Sequence, residues 1–103
     1  MTQPTFLGID VGTSSIKVVA VDPNGKLLAV ASSPMSVDVQ RPGWSEQNPE
    51  DWWAGTCSAI RQALSKTDSP EVLAVGLSGQ MHSLVSLDAS LNVVRPAILW
   101  NDV

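Results

Sequence analysis

The chain predicts an α/β domain: three antiparallel strands, then a helix, then a strand parallel to the first. Three observations carry that prediction. Two apolar runs, residues 6–11 and 15–22, are separated only by Gly12-Thr13-Ser14. A helix start follows at Asn48-Pro49-Glu50-Asp51, and a further apolar run, Val72-Leu73-Ala74-Val75-Gly76-Leu77, comes after the helix. Strand, helix, strand implies a right-handed crossover and a parallel partner.

Each element has a local reason. Residues 6–11 and 15–22 read as strands joined by a short polar turn. Asp22-Pro23-Asn24-Gly25 has proline at i+1 and glycine at i+3, which fits a type I turn and sends Lys26 to Ser32 back as a third strand. Pro34 to Gln47 reads as an irregular stretch, punctuated by Arg41-Pro42-Gly43. The helix has an amide at the N-cap, proline at its first position and two acids in its first turn. Trp53, Cys57, Ile60 and Leu64 recur at spacings of three and four, flanked by Trp52, Thr56 and Ala63, and predict its buried stripe. Cys57 is then a small buried hydrophobe. The helix ends before Asp68-Ser69-Pro70. Glu71 to Leu77 is expected as a buried fourth strand, and Ser83 to Leu87 and Val93 to Trp100 as a hairpin around Asp88 to Asn92.

Composition narrows the function. The 103 residues suffice for one modest core, and 44% hydrophobic with 16% charged residues marks a globular chain. The net charge of −4 is scattered, with no basic stripe for nucleic acid. One cysteine excludes an internal disulfide and argues against a zinc cluster. No secretory signal is visible, and no segment reaches the roughly 20 apolar residues of a membrane span. A cytoplasmic location is expected. Ala97-Ile98-Leu99-Trp100-Asn101-Asp102-Val103 runs apolar to the last residues, so the chain is expected to be an N-terminal piece of a longer protein.

Ligands of open α/β sheets bind beyond the carboxyl ends of the strands. The polar loops there are Asp10 to Ser15 and Ser78 to His82, and both fall at the same edge. Asp10, at a strand end, suits a hydrated Mg²⁺. Gly12 admits a ligand close to the backbone, and the amides and hydroxyls of Thr13, Ser14 and Ser15 suit a phosphate. The same residue types also make an ordinary hairpin turn. Lys17 is either a solvated strand residue or a neighbour of that phosphate. Gln80 and His82 offer donors and acceptors for a polyol; alternatively His82 caps a strand and Met81 fills a gap in the core. Trp44 to Gln47 is either a wall of the pocket or the place where Trp44, Trp52 and Trp53 pack the helix, and burial favours packing.

The element order matches the opening of an RNase H-like (actin-like ATPase) fold, and the Asp10 to Ser15 turn looks like the first phosphate loop of sugar kinases, Hsp70 and actin. Leu7-Gly8-Ile9-Asp10-Val11-Gly12-Thr13-Ser14, Gly43 to Trp53, Gly76-Leu77-Ser78-Gly79-Gln80-Met81-His82 and Arg95 to Asp102 together resemble the N-terminal end of the FGGY carbohydrate kinases, most of all the xylulokinases. Residues 1–103 would then be the first part of that family's N-terminal domain. The resemblance implies ATP and Mg²⁺ as cofactors, with Asp10 on the metal and Gly12, Thr13 and Ser14 at the phosphates; Lys17 joins that set by its position alone. It implies Gln80, Met81, His82, Asn101 and Asp102 as sugar contacts and places the catalytic base, an aspartate, beyond Val103. The implied reaction phosphorylates a ketopentose, D-xylulose, in the cytoplasm, as a homodimer with no nucleic-acid or membrane partner. Ser83-Leu84 departs from the glycine often found after Met-His in xylulokinases and also occurs in gluconokinase-like relatives. An actin- or Hsp70-like ATP-binding module fits residues 1–25 alone, but Gln80-Met81-His82 and Trp100-Asn101-Asp102 do not fit it. A non-catalytic scaffold would be expected to have lost Asp10 and its turn.

Overall fold

The computed structural model describes residues 2–37, 39, 43–80 and 83–99. Strands β1 (Gln3–Val11), β2 (Ser15–Val21) and β3 (Leu27–Pro34) form the meander. After β4 (Glu46–Gln47) come helix α1 (Pro49–Ser65), β5 (Pro70–Gly79) and β6 (Ala97–Ile98). The main sheet has the order β3-β2-β1-β5, with β5 parallel to β1. The meander, helix and parallel strand are therefore as the residues predict.

Strand alternation divides the sheet into two faces. Toward α1 lie the cross-strand rows Leu7–Ala20–Ala29 and Ile9–Val18–Ala31. These side chains are buried with Ile16, Ala59 and Ala63. The opposite face carries Gly8–Val19–Val30 and Asp10–Lys17–Ser32. Pro4 is tolerated in β1 because pairing with β2 begins only at Phe6.

Helix α1 starts as its sequence dictates: Asn48 Oδ1 accepts the Glu50 N–H at 3.0 Å, and Pro49 occupies the first turn. Its end is held by Thr67 Oγ1, which donates to the Ala63 carbonyl, and by Lys66 Nζ, which donates to the Val30 carbonyl on β3.

Two expectations are corrected. The buried face of α1 is Gly55, Ala59 and Ala63, not the Trp53–Cys57–Ile60–Leu64 stripe. A Cβ on Gly55 would come within 2.9 Å of Ile16 Cδ1, so the helix sits too close for large residues on that line. Of the expected stripe, Ile60 and Leu64 are half-buried and pack against the core, Cys57 is half-buried, and Trp53 is 69% exposed. Second, β5 is parallel but not buried: Leu73, Val75 and Leu77 are exposed, because α1 lies over β2 and β3 and stops short of it. The expected hairpin is present in sparse form: antiparallel bridges join Leu84 to Ile98 and Leu87 to Val93 around the Asp88–Asn92 turn. β6 also pairs with β4, inside the stretch read as irregular. Arg95 forms an ion pair with buried Glu46 beside that small sheet.

Candidate functional site

The carboxyl ends of β1 and β5 lie side by side, Asp10 opposite Ser78 and Val11 opposite Gly79. With the amino end of β2 they bring the two polar loops together. Asp10 is exposed on the face away from α1, in a polar row with Lys17, Ser32 and Ser78 across all four strands. Ser78 Oγ donates to Asp10 Oδ1 at 3.1 Å and orients the carboxylate. In front of this row Gly8 and Gly76 sit opposite each other, opening a groove of about 340 Å³ with Val19, Leu77 and Lys17 on its walls. A hollow of similar size at the start of α1, about 360 Å³, is lined by Asn48, Glu50 and residues 92–96 and holds none of the loop residues.

The turn after β1 closes when the Gly12 N–H donates to the Ser15 carbonyl at 3.0 Å. A Cβ on Gly12 would lie 2.9 Å from that same oxygen, so only glycine fits. The Thr13 carbonyl accepts from Gln47 Nε2 at 2.7 Å and the Ser14 carbonyl from the Met35 N–H at 2.9 Å. The turn's carbonyls are thus drawn into the protein, and Ser14 stands exposed at its tip. That arrangement suits an anion better than one with free carbonyl oxygens facing outward.

The loop after β5 starts from a close approach. The Gln80 N–H donates to the Val11 carbonyl at 3.0 Å, and a Cβ on Gly79 would come within 3.2 Å of it. The Gln80 side chain faces the phosphate turn: its Oε1 accepts from Thr13 Oγ1 at 3.4 Å and its Nε2 donates to Gln47 Oε1 at 3.1 Å. Lys17 shares the face of Asp10, directly across from it on β2. Met81, His82, Asn101 and Asp102 lie outside the described residues.

Among the described residues no group of three or more His, Cys, Asp or Glu could enclose a metal ion. Asp10 still fits Mg²⁺, which keeps most of its waters and needs only one or two carboxylates besides substrate phosphates.

Two contributors, Ser78 and Gln47, were placed by the sequence in candidate stretches but given no role of their own. Ser78 could have been found, because it is the β5 residue in register with Asp10. For Gln47 the sequence offered only the pocket-wall alternative for Trp44 to Gln47, since its place depends on the pairing of β4 with β6. Of the tryptophans, Trp52 packs against the core and donates its Nε1 to Gln47 Oε1 at 2.9 Å. Trp44 and Trp53 are exposed, so helix packing explains only one of the three. No helix among the described residues is long and apolar enough to cross a membrane.

The model of the FGGY family of carbohydrate kinases, N-terminal domain, matches residues 5–103. A xylulose kinase of Escherichia coli is 42% identical over 97 residues, covering 94% of this chain and 20% of that protein. The crystal structure of xylulose kinase from Rhodospirillum rubrum superposes with a TM-score of 0.92 at 27% identity, over 95% of this chain and 20% of that one. Gluconate kinase from Lactobacillus acidophilus gives 0.92 at 30% identity, over 98% and 20%. The chain spans about one fifth of the length of the curated relatives it matches.

Proposed function

The chain belongs to the FGGY family of carbohydrate kinases, and on that premise we propose that the whole protein moves the γ-phosphoryl group of ATP to a hydroxyl of D-xylulose. One observation carries the reading. Asp10, the Gly12–Ser15 turn and the Ser78–Gln80 loop meet at a single strand edge, so a charge, a phosphate cradle and polar side chains share one small space. Similarity to several proteins named xylulose kinase supports the acceptor.

Phosphoryl transfer asks mainly for positioning and charge neutralisation. Mg²⁺, when bound, offsets the charge on the phosphate oxygens. Asp10, steered by Ser78, would be its protein ligand. Gly12, Thr13 and Ser14 would line the phosphates, with Lys17 adding positive charge on the same face. Asp10 is not the proton acceptor in this scheme, because its role is spent on the metal. Gln80, Met81, His82, Asn101 and Asp102 would face the sugar. Residues 1–103 would form the first part of the N-terminal domain and one wall of the cleft. The base and the adenosine pocket would come from the remainder of the protein. The reading includes a cytoplasmic homodimer whose partners are sugar and ATP, with no nucleic acid or membrane.

Ser83-Leu84 favours a second acceptor, gluconate, and the likeness to a gluconate kinase supports it. The test is an acceptor panel on the whole protein with Asp10→Asn and His82→Ala. Asp10→Asn should cut turnover about a hundredfold or more while the fold persists. His82→Ala should raise KM for sugar more than for ATP. Near-normal turnover in Asp10→Asn would remove the metal role, and gluconate as best acceptor would replace xylulose.

A further inference from the structure

We infer that Gln47 is a positioning residue whose carboxamide locks the phosphate turn to the loop after β5; as a statement about turnover this rests on the kinase reading above. Gln47 belongs to neither loop. It sits on β4 with 2% of its surface exposed.

A carboxamide has two N–H donors and two acceptor lone pairs, and here all four are used. Nε2 donates to the Thr13 carbonyl at 2.7 Å and to the Ser36 carbonyl at 3.3 Å. Oε1 accepts from Trp52 Nε1 at 2.9 Å and from Gln80 Nε2 at 3.1 Å. An indole N–H only donates and a carbonyl only accepts, so rotating the amide by half a turn would oppose like with like. Its orientation is therefore unique.

That orientation propagates. Gln80 presents Nε2 to Gln47, which leaves its Oε1 to accept from Thr13 Oγ1 at 3.4 Å. Thr13 is thus held twice, at its carbonyl by Gln47 and at its hydroxyl by Gln80. The link between Ser78 and Asp10 lies on exposed side chains. The Gln47 network is part-buried around a buried carboxamide, where a satisfied set of bonds rigidifies and a half-made one is costly. Misplacing a reacting group by about 1 Å can cost about a hundredfold in rate, so a lock of this kind acts on turnover more than on binding.

The test is a kinetic double-mutant cycle on the whole protein, with a readout independent of activity. Gln47→Glu keeps the shape and the bonds from Trp52 and Gln80, but sets a second acceptor against the Thr13 and Ser36 carbonyls. It should lower kcat at least about tenfold while moving KM for sugar less than about threefold. Combined with Thr13→Val the losses should be non-additive, the double variant being no slower than Gln47→Glu alone. Losses that multiply would overturn the proposal.

In ¹⁵N NMR spectra the Gln80 side-chain amide should exchange slowly in the parent and move to a solvent-exposed shift in Gln47→Met. An unmoved Gln80 signal would overturn the lock even where sugar is phosphorylated. A moved signal in a protein that phosphorylates no sugar would sink the kinase reading and leave the lock standing. Should Gln47→Glu fail to fold, Trp52→Phe removes one donor and keeps a smaller aromatic ring. It should lower kcat about twofold to fivefold with a modest loss of Tm, and no change in either kcat or the Gln80 signal would overturn the proposal.

Discussion

Leu7 and Ile9 on β1 stand directly beside Val75 and Leu77 on β5, in the same rows and on the same face of the sheet. The first two are each 5% exposed; the second two are 51% and 76% exposed. Residue type does not separate them, since all four are aliphatic. What separates them is the reach of α1, which covers β2 and β3 and touches β1 only slightly. Burial here is a property of neighbours, and the two halves of one sheet answer to different ones.

The largest expected effect comes from testing that division directly. Ile16 is fully buried against Gly55. Ile16→Ala should destabilise the chain by about 3 kcal/mol in urea unfolding, the usual cost of a core truncation with its cavity. Val75→Lys and Leu77→Lys should leave the unfolding midpoint nearly unchanged and instead shift the isolated chain toward monomer in size-exclusion chromatography with light scattering. The parent, with an uncovered apolar strand at its edge, should self-associate. A monomeric parent, or lysine variants that unfold, would show that β5 is better packed than its exposure indicates.

Arg95 tests the small sheet. Glu46 is buried and its partner is Arg95, whose side chain is partly exposed. Removing one member of such a pair strands the other charge, so Arg95→Ala should cost about 1–3 kcal/mol. Glu46→Gln with Arg95→Ala should recover most of that loss. If the single and double variants melt alike, the pair is solvated and contributes little.

How much of this was legible in the residues follows from how local each cause is. The meander, the cap at Asn48 and the parallel partner of β1 follow from turn chemistry and strand–helix order, which act over a few residues. Asp10 and the loop after β5 could be placed at one edge because strand ends are set by topology. The helix face was misjudged because periodicity weighs large apolar side chains, whereas close contact with the sheet selects the smallest. Gly55→Ala measures that selection: the gain in helix propensity is about 1 kcal/mol, but the new Cβ meets the buried Ile16 side chain. A net loss of about 1 kcal/mol is expected, and a gain would show that Ile16 has room to turn. Gln47 was legible only as part of a possible pocket wall, since its four partners come from four separate segments.

The smallest effect concerns two turns built to one plan, one in each half. In Asp22–Lys26 and again in Asp88–Asn92 the aspartate Oδ1 accepts two backbone N–H groups, and its own N–H donates to the residue four on. The fourth position has positive φ in both: +83° at Gly25 and +67° at Leu91. Glycine adopts that conformation freely, whereas leucine is strained by it. Leu91 is 76% exposed, so its side chain contributes little packing to offset the strain. Leu91→Gly should therefore stabilise by about 0.5–1 kcal/mol despite the added freedom of the unfolded chain, while Gly25→Leu should lose at least as much. The carboxyl of Asp88 is held below its ordinary range, first by the Asn92 N–H and then by the N–H of Ser90. A lowered folded-state pKa means that this contribution is present above the unfolded value of about 4 and fades as pH falls through the folded one. The gain at position 91 should be read by urea unfolding at neutral pH, where Asp88 is ionised in every variant. A loss there would mean that Leu91 makes contacts in solution that its exposure does not reveal.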